Sequence, residues 1–136
     1  MKTLTLWQPF AGAIALGLKK YETRSWAAKI QTPDLFAEKP GIKLAIHASV
    51  KPLSKEYQEL ADKYGLENLD FGKVIAICDL EECILMTPEF IAKQPQIELD
   101  FGDWRVGRYA WKLSNIQVLD KPIPAKGQQG LWNFNF

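Results

Sequence analysis

Histidine and cysteine are scarce in this chain: His47 stands alone, and Cys78 and Cys83 are the only thiols. A structural zinc site draws on about four Cys or His donors at set spacings, so that pattern is excluded, and no metal or cofactor is expected. The two cysteines lie five apart in one apolar segment. In a strand an odd separation points them to opposite faces, which excludes a bond between them. They read as buried thiols in a reducing compartment. No apolar run approaches the ~20 residues that span a bilayer. Met1-Lys2-Thr3-Leu4 lacks the basic start and continuous apolar core of a signal peptide. No membrane partner is expected, and a cytoplasmic location is. Charge of one sign is also missing, with 17 Lys+Arg against 16 Asp+Glu and a net charge of +1. Proteins that grip long nucleic acid through phosphates usually carry a clear basic excess. Any nucleic-acid role here therefore uses a local basic patch, or a pocket for one or two nucleotides.

What is present suits a folded globular chain: apolar residues make up 47% and charged residues 24% of 136 positions, too apolar for disorder and enough for one core. No repeat or low-complexity stretch divides it, so residues 1–136 read as a single domain. Thr3–Leu6 alternates as a first strand. Pro9 sits near the first turn of a short helix that Gly17 ends. Lys20–Trp26 reads as a second strand, residues 27–41, with Pro33, Pro40 and Gly41, as a loop, and Ile42–Ala48 as a third strand. Ser54–Tyr64 is the clearest helix, capped by Ser54 and closed by Gly65, with Tyr57, Leu60 and Tyr64 on one face. Val74–Leu80 suits a strand buried on both sides. Thr87-Pro88-Glu89 starts another short helix, Tyr109–Leu119 is a long strand, and Leu131–Phe136 a last one. About six short strands with two or three helices predict an α+β fold around a barrel or strongly curved sheet.

The densest chemistry runs from Gly17 to Trp26. In an extended strand Lys20, Glu22, Arg24 and Trp26 share one face, and Tyr21, Thr23 and Ser25 the other. Arg24 beside Trp26 can pair with a phosphate and stack a base. Glu22, between two cations, stays ionised and can fix Arg24. The same spacing also suits a solvated strand with cross-paired charges and a core tryptophan.

Leu4-Thr5-Leu6-Trp7-Gln8-Pro9-Phe10-Ala11, followed by Gly17-Leu18-Lys19, Glu22, Arg24 and Ser25-Trp26, resembles the opening of ASCH domains, the PUA-related modules named after the activating signal cointegrator protein. The likeness continues through Ile46-His47-Ala48 and Cys78-Asp79-Leu80-Glu81-Glu82-Cys83. It ends with Gly107-Arg108-Tyr109-Ala110-Trp111-Lys112-Leu113 and Gly127-Gln128-Gln129-Gly130-Leu131-Trp132. The resemblance implies a PUA-like β-barrel whose cleft, beside the first helix, is lined by the Gln8-Pro9 turn and the Lys-x-x-Glu-x-Arg strand. It implies RNA or single-stranded nucleic acid, or a modified nucleoside, as partner. It also implies an alternative, because one branch of small bacterial members hydrolyses the amide of N4-acetylated cytidine with a lysine, a threonine and a glutamate. Aligned on Arg24, Lys19 takes the lysine position and Glu22 replaces the threonine. Aligned on Lys20, Thr23 follows at the right spacing and Arg24 is one residue out. Asp79 stands for the glutamate in either register. Lys20 and Thr23 face opposite ways in a regular strand and need a bulge to meet.

Beyond this cluster the candidates thin out. Asp79 either marks where its strand leaves the core or is partly buried beside a cation such as Lys19 or Arg24. His47 differs in parity from Ile46 and so faces away from the apolar stripe; it reads as a structural histidine or as a second-rank contact facing the cleft. Trp104, Trp111 and Trp132 read as core, whereas Trp7 adjoins the Gln8-Pro9 turn and joins the binding set. Gln8 carries an amide able to read a base edge. Arg108 can contact phosphate at the start of a strand, and the loop from Ala125 to Gly130 is similarly placed. A third reading is a protein-interaction surface at the aromatic end, Trp132–Phe136.

Overall fold

The computed structural model describes residues 1–28 and 42–136. Over these residues the order is β1 (Lys2–Leu6), α1 (Phe10–Ala15), β2 (Tyr21–Arg24), β3 (Ile42–Ala48), α2 (Lys55–Lys63), β4 (Lys73–Leu85), α3 (Pro88–Ala92), α4 (Gln96–Asp100), β5 (Tyr109–Pro124) and β6 (Leu131–Asn133). The loop expected over 27–41 falls largely on residues 29–41, which lie outside the described residues. The strands form one sheet in the order β2-β5-β4-β3-β1-β6. Only the β1–β3 pair is parallel; the other neighbours run antiparallel. The sheet curls into a half-barrel, so that Arg24 Nη2 on edge strand β2 comes within 3.5 Å of Thr5 O on β1. This is the α+β barrel predicted from the sequence, with four short helices among the described residues against the two or three expected.

The main core fills the inside of the curl. Leu4 and Leu6 of β1, Leu44 and Ile46 of β3, Cys78 and Leu80 of β4, and Trp111 and Leu113 of β5 pack with Ala11 and Ile14 of α1. Alternation along the strands supplies these residues, as the two-residue period of a half-buried sheet requires. The other side of α1 presents Ala13 to a second cluster with Ala61 of α2, Leu66 and Phe101. Helix α1 is therefore wedged between the half-barrel and the α2–α4 side of the molecule.

Five strands differ from their sequence-predicted bounds: β1 starts one residue early, β2 is trimmed to Tyr21–Arg24, and β4, β5 and β6 differ for local reasons. β4 continues five residues past Leu80. Its carboxylates do not end it, because they pair across the sheet: Asp79 with Lys43 of β3 at 2.7 Å, and Glu81 with Lys112 of β5 at 3.4 Å. Opposite charges facing each other across strands favour pairing over exit to solvent. β5 runs on to Pro124, with its prolines confined to the far end, where missing N–H donors cost least. β6 stops at Asn133, its ladder running from Lys2–Asn133 to Leu4–Leu131, and Phe134 beyond it exchanges two hydrogen bonds with Met1. Cys78 and Cys83 form no disulfide, and burial followed by the neighbouring Asp79 carboxylate pushes the Cys78 thiol up to about 12.

Candidate functional site

A cleft of about 740 Å³ opens between the curled edge of the sheet and the helical side, within the size range of small-molecule sites. β1 and the start of α1 contribute Thr5, Leu6, Trp7 and Phe10, β2 contributes Glu22, Thr23 and Arg24, and Trp26 follows two residues past its end. Glu56 and Tyr57 of α2 close one side; Asp100–Asp103, Arg108 and Gln128–Gly130 complete the wall.

The centre of the cleft is an ion pair built by strand parity. Glu22 and Arg24 lie two apart on β2, so both side chains leave the same face. Arg24 donates to Glu22 Oε2 through Nε at 3.1 Å, with Nη2 at 3.0 Å. Glu22 is buried, and its other oxygen accepts the Thr23 amide at 3.2 Å. The Arg24 guanidinium stands 5.9 Å from the Trp26 ring centroid, and Trp26 in turn packs edge-on against the fully buried Trp111 at 4.8 Å. The cation is thus oriented by a buried carboxylate on one side and an aromatic ring on another. Arg108 is fixed differently, by donation from Nε to the Asp103 carbonyl at 2.8 Å.

The acids of the wall are mostly answered from outside it. Asp103 is gripped by Arg105 through two bonds of 2.7 and 2.5 Å. Asp100 pairs with Lys63 at 2.8 Å and accepts hydrogen bonds from Gln96 and from the Tyr64 hydroxyl; these donors pull its carboxyl down to about 2. Among the described residues the wall carries Glu22, Glu56, Asp100 and Asp103 against Arg24 and Arg108, a balance in keeping with the near-neutral charge of the chain.

The other sequence-predicted residues are placed as follows. Trp7 is in the wall and 46% exposed, unlike Trp111 and Trp132, which are buried. The Lys51 ammonium lies 3.3 Å from the Trp7 ring centroid. Gln8 does not reach the cleft: its amide is consumed inside the fold, Nε2 donating to Asp70 O and Oε1 accepting from Gly12 N, both at 2.8 Å. It serves as the cap that α1 lacks, since Pro9 makes no side-chain cap bond. Gly12 is required at this contact, because a Cβ there would stand 2.7 Å from Leu69 and 3.2 Å from Gln8 Oε1. Pro9 is buried beneath this turn.

Of the lysines, Lys19 is 1% exposed and donates to Phe101 O at 2.7 Å, behind the wall rather than in it. Burial lowers its pKa, against the opposing pull of Glu22 and Glu98. Lys20 is exposed, and only its backbone is engaged, donating to Glu98 Oε2 at 2.7 Å. Thr23 lines the cleft, and its hydroxyl accepts the Asp103 amide at 3.1 Å. Asp79 is elsewhere, its partners being Lys43 and Asn115 rather than Lys19 or Arg24. His47 is buried against Trp132, with Nε2 donating to Ala125 O at 2.7 Å; it does not line the cleft. The structure therefore brings Trp7, Glu22, Thr23, Arg24, Trp26 and Arg108 together, and leaves out Gln8, Pro9, Lys19, Lys20, His47 and Asp79. Tyr57 and the Asp100–Asp103 turn are wall residues that the sequence did not point to. Tyr57 looks like any apolar-face residue of its helix, and α4, which carries the turn, has no capping side chain to announce it.

Among the described residues no helix is long and apolar enough to cross a membrane, and no His, Cys, Asp or Glu cluster is arranged to hold a metal ion.

A curled α+β sheet with a cleft between its edge strand and the first helix defines a PUA-like module. The family model of the ASCH domain matches residues 4–122, and the chain belongs to that family. No curated protein matches the chain significantly. Membership supports a general role as an RNA-binding PUA-like domain.

Proposed function

We propose that residues 1–136 act as one domain that binds single-stranded RNA, or another single-stranded nucleic acid, by taking a nucleotide or a modified nucleoside into the cleft. The observation that carries this reading is the position of Arg24: a guanidinium on a concave surface, oriented by Glu22 and next to Trp26. A fixed guanidinium fork suits a phosphate oxygen or a base edge, and exposed indole faces suit bases. Trp7 and Trp26 supply the aromatic surface, and Arg108 a second cation. The modest count of cations favours one or two nucleotides over a long tract. The test is fluorescence anisotropy of a labelled single-stranded RNA octamer and its DNA counterpart at two salt concentrations. Binding at low salt that weakens with salt, and that Arg24→Ala weakens by about tenfold or more, is expected. No binding at low salt, or affinity unchanged by Arg24→Ala, rejects the reading.

Deacylation of N4-acetylcytidine is the subordinate reading. Amide cleavage needs a base, a nucleophile and an acid that meet at the substrate. Here Lys19 is bonded behind the wall, Lys20 points outward, the Thr23 hydroxyl is engaged with Asp103, and Asp79 pairs with Lys43. Chromatography after incubation with N4-acetylcytidine is expected to show no cytidine. Enzyme-dependent release of cytidine would overturn the choice of binding over hydrolysis.

A further inference from the structure

We propose that Lys19 is a positioning residue that, together with Glu98 and Thr23, latches the turn from Glu98 to Asp103 onto β2 and through it sets the Arg108 guanidinium in the cleft. The inference rests on the binding role assigned to the cleft, and adds a residue-level cause for its geometry.

The latch consists of contacts made in register along one short stretch of β2 and the residues before it. Lys19 Nζ donates to Phe101 O at 2.7 Å, the Lys20 amide donates to Glu98 Oε2 at 2.7 Å, and Thr23 Oγ1 accepts the Asp103 amide at 3.1 Å. The turn is seated hard against β2, since a Cβ at Gly102 would lie 2.9 Å from Thr23 Cγ2. Its last residue then holds Arg108, whose Nε donates to Asp103 O. The two cleft cations are thus both set from β2. Arg24 is set directly through Glu22, and Arg108 through a chain that starts at Lys19.

Charge makes the latch specific. Lys19 and Glu98 are 1% and 3% exposed, and burying an ammonium and a carboxylate is costly unless each has a counter-charge and hydrogen bonds. Glu98 Oε1 has no hydrogen-bond partner among the described residues, so the nearby Lys19 charge is what compensates it. A methionine at position 19 keeps the volume but removes both the bond to Phe101 and that compensation. Because Lys19 does not line the cleft, its effect on a ligand is indirect: through the turn to Arg108, and through its charge, which Glu22 and Arg24 also feel.

A pair of double-mutant cycles, read by anisotropy of the same RNA octamer, separates this from general support of the fold. In the wild type, Arg108→Ala is expected to weaken binding about tenfold, as for loss of one charge-assisted hydrogen bond. In a Lys19→Met background the same change is expected to cost less than about twofold, because Arg108 is already misplaced. Arg24→Ala is expected to cost the same factor in a Thr23→Val background as in the wild type, since that change leaves the Lys19 charge beside Glu22 in place. Where Lys19→Met does not fold, Thr23→Val cuts the adjacent contact without stranding a charge, and the same non-additivity with Arg108→Ala is expected. Independent, multiplying losses for position 19 or 23 with position 108, or no loss from Arg108→Ala in the wild type, overturn the latch. Absence of Arg24-dependent binding in the wild type instead overturns the binding role on which it rests.

Discussion

Removing Arg24 acts on two quantities, and the structure says they can be separated. The Glu22 side chain is 8% exposed and that of Arg24 25%. Among the described residues Arg24→Ala leaves Glu22 with the Thr23 amide as its donor and the Lys19 ammonium as a nearby charge. Breaking a fully buried pair on one side costs roughly 3–5 kcal/mol. Because Arg24 is partly solvated, the stranded carboxylate regains some water, and the expected loss is nearer 1–3 kcal/mol. Adding Glu22→Gln removes the stranded charge yet keeps an acceptor for the Thr23 amide. The double variant is therefore expected to recover part of the lost stability, since Glu22→Gln also takes a counter-charge from the buried Lys19. Binding is not expected to recover, since the guanidinium that meets the ligand is still gone; it stays weaker by about ten- to a hundredfold. Urea titration followed by tryptophan fluorescence reads the first quantity and RNA anisotropy the second. Equal urea midpoints for Arg24→Ala and Arg24→Ala/Glu22→Gln refute the stranded-charge reasoning. Wild-type affinity in the double variant refutes contact between Arg24 and the ligand.

Gln8→Ala is expected to destabilise the fold by about 2 kcal/mol or more, because two buried hydrogen bonds and the cap of α1 are lost, while RNA affinity of the folded fraction is unchanged; a loss of affinity without a loss of stability would return Gln8 to the ligand. Asp100 titrates at about 2 in the fold against an ordinary 3.8, so the stability it contributes is complete above about pH 4 and is lost as pH falls through about 2. Acid titrations of wild type and Asp100→Asn should converge over that window, and a constant gap contradicts the assignment. Cys78, fully buried and with its thiol pushed up to about 12, is expected to resist iodoacetamide at pH 8 until the protein is unfolded, as peptide mapping would show.

Much of the fold was legible because its signals are local. The period of β3, the Ser54 cap and Gly65 stop of α2, and the Thr87-Pro88 start of α3 are written in neighbouring residues and appear where expected. The length of β4 was not, because Asp79 and Glu81 look like an exit to solvent until Lys43 and Lys112 are known to sit across from them. The site divides along the same line. Glu22 and Arg24 share a strand face, so alternation put them together, and Trp26 stays beside Arg24 although β2 ends at Arg24. Gln8 and His47 carry versatile groups whose partners, Asp70 and Ala125, are 62 and 78 residues away in sequence; nothing local shows those groups to be already engaged. Lys19 departs most from expectation. Its motif position suggests a cleft lysine, yet the Phe101 carbonyl, 82 residues on, draws it behind the wall. Helix α4, which creates that carbonyl's position, spans only Gln96–Asp100 and begins after Pro95 without a side-chain cap.

The most direct test of the central claim is amide and indole chemical-shift mapping during titration with the unlabelled RNA octamer. The account predicts saturable shifts at the Trp7 and Trp26 indoles, at the Arg24 and Arg108 guanidinium Nε–H signals and at the Gly102 amide, with little change around Lys43, Asp79 and Asn115. Shifts confined to that second group, or none at the first, would contradict it.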